Sequence, residues 1–151
     1  MFRGVNPINL DAKGRMAIPA RYRDTITEYC CGQLVATIDT EERCLLLYPL
    51  AEWEEIQAKI QALSSFNPAV RRIQRLLIGH ATDLDMDGNG RLLLPAPLRE
   101  YAELSKKIVL LGQGNKFEIW SEDRWLATRE EYLAEADGGA ELPEELKNLS
   151  L

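Results

Sequence analysis

The sequence predicts a mainly β, α+β fold in which one small unit is used twice. Three observations carry that expectation. A shift of 76 residues lays DAKGRMAIPARYR (11–23) over DGNGRLLLPAPLR (87–99), matching Asp11, Gly14, Arg15, Pro19, Ala20 and Arg23 with Asp87, Gly90, Arg91, Pro95, Ala96 and Arg99. A shift of 72 then lays Tyr48 and Trp53 of LLLYPLAEW over Trp120 and Trp125 of FEIWSEDRW. In both copies an apolar run leads into Asp, two variable residues and Gly-Arg, and a second apolar run ends in proline.

The elements follow in order. VNPINL–DAKGR–MAIP reads as a β-hairpin. Asp at the start of a tight turn accepts backbone N–H bonds, and Gly supplies a positive φ. The tip presents Lys13 and Arg15, and an Asp11 that orients Arg15 leaves the rest of its donor fork free. PARYRDTITEY is then a short helix, and QLVATID with CLLLYP a strand pair. AEWEEIQAKIQAL puts Trp53, Ile56, Ile60 and Leu63 on one helical face. The next helix has Asn67 as cap and Pro68 at its first position, and separates Val70, Ile73, Leu76 and Leu77 from Arg71, Arg72 and Arg75. For those arginines we expect salt bridges, to Glu52, Glu54 and Glu55 or across a subunit interface, in preference to contact with an outside partner.

The second copy repeats the plan. HATDLDM–DGNGR–LLLP reads as a hairpin presenting Asn89 and Arg91, PAPLREYAEL as a helix, and KIVLLGQ with KFEIW as a strand pair whose turn Gly112 and Gly114 mark. SEDRWLATREEYLAEA is a last helix with acids in its first turn, and Asp137–Ala140 breaks the chain before an acidic end. The expected organisation is module 1 over 1–53, linking helices over 54–80, module 2 over 81–125, and an acidic helix and tail over 126–151.

Composition narrows the function. With 151 residues, 46% hydrophobic and 28% charged, the chain has the make-up of a soluble globular protein able to bury a core. No apolar run approaches the roughly 20 residues of a membrane span, and MFRGVNPINLDAKGR lacks the apolar stretch of a signal peptide, so a cytoplasmic protein is expected. Cys30, Cys31 and Cys44 have neither disulfide nor zinc-site spacing, and read as small hydrophobes with free thiols. His80, the single histidine, reads as a capping or packing residue. The net charge of −6 is uneven: residues 121–151 hold nine acids against three bases, whereas residues 1–23 carry Arg3, Lys13, Arg15, Arg21 and Arg23 against Asp11 alone. A basic working end and an acidic tail permit an anionic partner.

One stretch, DLDMDGNGR (83–91), invites a calcium-loop reading: Asp83, Asp85, Asp87 and Gly88 stand at positions 1, 3, 5 and 6 of an EF-hand. It fails on three counts. Position 12 is Leu94 in place of a bidentate glutamate, Pro95 and Pro97 interrupt the helix that should follow, and the first copy has Pro7 and Asn9 where the second has Asp83 and Asp85. Both copies keep D-x-x-G-R, a turn and not a ligand set. No Ser/His/Asp set, phosphate-binding glycine loop or metal cluster is present, which leaves an enzyme only Asp83, Asp85 and Asp87 as carboxylate candidates. The chain reads as a non-enzyme.

MFRG at the start, D-x-K-G-R at 11–15, LLLYPL-x-EW at 45–53, NP-x-x-RR-x-QRLL-x-GHA at 67–81 and DG-x-GR at 87–91 together resemble the MraZ family over almost the whole chain. The resemblance implies a bacterial transcriptional regulator of the division and cell-wall gene cluster, cytoplasmic and nucleoid-associated. It implies two tandem SpoVT–AbrB modules folded together as a swapped-hairpin, double-psi-like β-barrel with flanking helices. It also implies ring-shaped homo-oligomers that bind double-stranded DNA at short G-rich direct repeats upstream of their own operon and repress it. No cofactor, metal, membrane or small-molecule substrate is expected. The implied DNA-binding turns are Asp11–Arg15 and Asp87–Arg91, built by Asp11, Gly14, Asp87 and Gly90. The arginine fork matches guanine O6 and N7, and the major groove admits a two-stranded hairpin. Arg15, and secondarily Arg91, would then read base edges, with Lys13, Arg3 and Asn89 on phosphate. Gly88-Asn89 in place of Ala12-Lys13 implies unequal contributions from the two turns. The competing expectation is a protein-interaction barrel, adaptor or antitoxin-like, that binds no DNA.

Overall fold

Each repeat folds as strand–turn–strand–helix–strand–strand, but neither keeps its strands to itself. The structure, a computed structural model, describes residues 1–135 and 142–150. The first copy comprises β1 (Phe2–Asn9), β2 (Arg15–Ala17), α1 (Ala20–Cys30), β3 (Gln33–Ile38) and β4 (Leu45–Pro49). Two linking helices follow, α2 (Leu50–Gln61) and α3 (Pro68–Ile73), the latter running on as a π-helical turn over Gln74–Ile78. The second copy supplies β5 (Thr82–Asp85), β6 (Arg91–Leu93), α4 (Ala96–Tyr101), β7 (Lys107–Gly114) and β8 (Phe117–Ser121), before α5 (Glu122–Ala134) and the short α6 (Glu144–Lys147). Among the described residues no helix is long and apolar enough to cross a membrane.

Six strands form one antiparallel sheet in the order β1-β7-β8-β4-β3-β5, and β2 pairs with β6 as a separate ribbon. The copies exchange strands: β1 lies on β7 of the second copy, and β5 on β3 of the first. This corrects the self-paired hairpins expected from the sequence. Each turn closes locally, with Asp11 N–H donating to Arg15 O at 2.9 Å and Gly14 N–H to Asp11 O at 3.0 Å, but its two arms then diverge. The reason is burial. Met16 and Leu92 are fully buried and face each other across the ribbon, so each apolar run needs the other copy to cover it. The exchange is that of a swapped hairpin. Hydrogen-bond closure into a barrel is not seen among the described residues: β1 and β5 are the sheet edges. As an edge strand, β1 tolerates Pro7.

A pseudo-twofold axis organises the whole. It passes between Met16 and Leu92 in the ribbon and between Leu46 and Glu118 where β4 meets β8. One continuous core takes residues from both copies, centred on fully buried Phe117, whose ring lies 4.2 Å from Phe2 and 5.0 Å from Tyr22. On the outer face, paired aromatics fasten a helix to each half: Tyr48 and Trp53 (5.8 Å) hold α2, and Trp120 and Trp125 (5.6 Å) hold α5.

Three local readings are corrected. Gly112 is not in the β7–β8 turn but inside β7 opposite Gly4, where a Cβ would lie 2.5 Å from the backbone nitrogen of Arg3. The second linking helix widens into its π-turn as the Thr37 hydroxyl donates to Leu77 O at 2.6 Å. Arg71, Arg72 and Arg75 are exposed, with no carboxylate within 4.0 Å among the described residues, so the bridges to Glu52, Glu54 and Glu55 do not form. The side of α3 that meets α2 instead offers Gln74, whose Nε2 donates to Ile60 O. His80 behaves as expected, its Nδ1 2.8 Å from Leu76 O at the helix end. The expected break at Asp137–Ala140 lies outside the described residues.

Candidate nucleic-acid interface

Both D-x-x-G-R turns are wired alike. Asp11 Oδ1 accepts the N–H groups of Lys13 (2.9 Å) and Arg15 (2.8 Å), and its Oδ2 accepts Arg15 Nε at 2.8 Å. Asp87 does the same for Asn89 (2.9 Å), Arg91 N–H (2.9 Å) and Arg91 Nε (3.2 Å). One carboxylate therefore closes the turn and aims the arginine. The terminal nitrogens of Arg15 and Arg91 make no hydrogen bond among the described residues, so the outer part of each fork is open. The Asp11 carboxyl is held below its ordinary value, chiefly by the Arg15 N–H, with partial desolvation opposing. Asp87 is lowered by the equivalent N–H of Arg91.

The glycines have a second duty beyond their positive φ of 86° and 75°. A Cβ on Gly14 would lie 2.7 Å from Arg99 Nε, and one on Gly90 would collide with Arg23 Nε. Those arginines donate Nε to the carbonyls of Leu94 (3.0 Å) and Ile18 (2.7 Å), so each turn rests on an arginine from the other copy. Ile18 N–H to Gly90 O (2.8 Å) and Leu94 N–H to Gly14 O (2.9 Å) complete the cross-brace. Arg23 and Arg99 stood matched in the sequence repeat, which was the available signal for this bracing.

The ribbon brings the two turns together. Arg15 lies opposite Leu93, and Ala17 opposite Arg91. Side chains alternate along a strand, so with Met16 and Leu92 buried beneath, these four residues share the outer face. The Cα atoms of Arg15 and Arg91 stand about 8 Å apart, from a rise of ~3.3 Å per residue and a strand spacing of ~4.8 Å. Lys13 and Asn89 are exposed at the turns that flank the ribbon. Arg3 is on β1, six positions and roughly 20 Å along the strand before Asn9, where the Tyr22 hydroxyl donates to its carbonyl. Ala17 and Leu93 belong to this face but escaped the sequence reading, because inside an apolar run nothing distinguishes an outward Leu93 (55% exposed) from the fully buried Leu92.

The twofold repeat is also found by comparison with known proteins. A family model described as "MraZ protein, putative antitoxin-like" matches the chain twice, over residues 1–76 and 77–143. The chain is 58% identical to the "Transcriptional regulator MraZ" of Halorhodospira halophila. It is 57% identical to the proteins of that name from Saccharophagus degradans and Coxiella burnetii. Each alignment covers 100% of both sequences.

Proposed function

The chain belongs to the MraZ family, and from that premise we propose that it is a sequence-specific DNA-binding transcriptional regulator whose β2–β6 ribbon enters the major groove. The observation that carries this reading is the pair of arginines on one outward ribbon face, each aimed by its own aspartate with the outer fork open. A two-stranded ribbon fits that groove, and an arginine fork reaches guanine O6 and N7 together. Arg15 reads a base edge, Arg91 does so secondarily, and Lys13 and Asn89 meet phosphate. Arg3, at the far end of β1, would serve only DNA that extends beyond the ribbon. The preferred sites are short G-rich direct repeats, engaged by a ring of identical chains in which several weak contacts add through avidity, and the regulation is repression of the protein's own operon.

Fluorescence anisotropy of wild type and Arg15→Ala on a repeat-bearing duplex and on a scrambled duplex tests this. Wild type should prefer the repeats, and the variant should lose about 1–3 kcal/mol of that preference per bidentate contact removed. Equal binding by both proteins would end the Arg15 assignment. The words "antitoxin-like" in the matched description favour a second reading, a protein-interaction module, which predicts weak DNA binding without sequence preference.

A further inference from the structure

The two turns are equivalent in wiring but not in electrostatic setting. Each is braced by a loop of the other copy: Leu10 N–H donates to Lys106 O at 2.7 Å, and Met86 N–H to Gly32 O at 2.8 Å. The ladders agree, since Asn9 lies opposite Lys107 and Asp85 opposite Gln33. The pseudo-twofold axis thus equates Ser105-Lys106-Lys107 with Cys31-Gly32-Gln33, and Asn9 with Asp85. A groove runs beside the first turn between Ala12, Arg99 and Lys106, and its counterpart runs beside the second between Asp24, Gly32 and Gly88.

The charges differ accordingly. Around the first turn stand Lys13, Arg15, Lys106 and Lys107. Around the second, Arg91 is offset by Asp85, and the matching positions are Asn89, Gly32 and Gln33. The acids of the following helices, Asp24 and Glu100, are common to both settings. Lys106 and Lys107 are exposed, with no carboxylate within 4.0 Å among the described residues. Two exposed ammonium groups beside the turn that carries an outward arginine suit a phosphate backbone next to a groove, where lysine serves as a point charge.

Resting on the DNA-binding reading above, we propose that Lys106 and Lys107 of the second copy are DNA phosphate contacts that complete the site at the first copy's turn. The protein therefore holds DNA asymmetrically: the Arg15 turn is anchored to the backbone, and the Arg91 turn is not. Neither half of the repeat carries the anchored site alone. Its reading arginine comes from residues 1–76 and its clamp from residues 77–143.

The test is a titration of the full chain against fluorescein-labelled repeat-bearing and scrambled duplexes between about 50 and 200 mM salt. The Lys106→Ala/Lys107→Ala variant should bind both duplexes several-fold more weakly, by the same factor, so that the preference between them survives. Its slope of log K against log salt should fall by about 0.9 per lost contact, hence by about 1.8 for each protomer engaged. Lys116→Ala, one cation removed at the opposite end of β7, should leave the slope unchanged. Gln33→Lys with Asp85→Asn should tighten binding to both duplexes by building the missing clamp at the second turn. If wild type binds as proposed and the double-lysine variant keeps its affinity and slope, or loses no more than Lys116→Ala, the clamp is wrong and the DNA reading stands. If wild type binds neither duplex, the DNA reading fails and takes the clamp with it.

Discussion

Asp11 is the residue through which the turn's structure and its chemistry are joined. Its two oxygens divide the work: one collects two backbone N–H groups, the other fixes Arg15 Nε. Asp11→Asn separates these duties. The amide oxygen can still close the turn, but its NH2 then faces the Arg15 Nε–H, donor against donor. The variant should fold with a slightly lower melting temperature, yet lose repeat preference nearly as far as Arg15→Ala in the same anisotropy assay. Retained preference would mean that Arg15 needs no aiming. The pH dependence follows in sign. A carboxyl lowered in the folded state contributes stability above its unfolded value, and loses it only as pH falls through the lower folded one. The Asp11 contribution to turn closure should therefore be flat through the neutral range and weaken, without opening the turn, only below the ordinary carboxylate range, as followed by the amide resonances of Lys13 and Arg15. The turn chemistry was legible in the sequence because D-x-x-G-R occurs twice with different residues between, which isolates the members that matter.

Strand and helix identity was equally legible, and partner choice was not. The continuous apolar run IVLL within KIVLLGQG marks β7 as a strand buried on both faces, but carries no record of whether β1 or β5 lies beside it. Gly112 misled for a related reason: a glycine that admits a close neighbouring backbone looks, in sequence, like one that turns the chain. The repeat also exposes a defect in one element. In α2, Trp53 Nε1 donates to Gln57 Oε1 at 2.8 Å, whereas in α5 the matching Trp125 Nε1 is enclosed without a partner among the described residues. The residue four positions on is Arg129, which can only donate. Arg129 meets Glu130 at 3.7 Å on the surface, an ion pair of little worth. Arg129→Gln should give the indole its acceptor and stabilise the chain by about 1 kcal/mol, a rise of roughly 2–4 °C in Tm. An unchanged or lower Tm in a calorimetric scan would mean that the indole is already satisfied.

At the scale of the molecule, a core shared across a pseudo-twofold axis makes the halves interdependent but not equivalent. If residues 1–76 were expressed alone, β1 could lie on β3 of a second copy, and Met16 and Leu46 would each meet themselves at the axis positions that Leu92 and Glu118 occupy in the whole chain. Every such contact is apolar or neutral, so this half should form a folded homodimer. Residues 77–151 face a different outcome. Leu92 would meet Leu92 without conflict, but Glu118 would be brought against Glu118 on a partly desolvated face. Burial already raises the Glu118 carboxyl, with the Trp120 indole N–H only partly offsetting it, so a second carboxylate opposite would oppose ionisation further. The exposed Asp85 and Lys107 would become neighbours in that assembly, yet an exposed pair contributes at most about 1 kcal/mol and cannot offset two facing carboxylates. The second half should stay monomeric at neutral pH. A raised carboxyl favours the state in which it is neutral, so association should appear as pH falls through its raised value, and Glu118→Gln should bring it to neutral pH. Sedimentation velocity on both halves reads this directly. A second half that dimerises at pH 7 as readily as the first would show that the contact across the axis at β4–β8 does not decide the pairing, and that the ribbon alone holds the copies together.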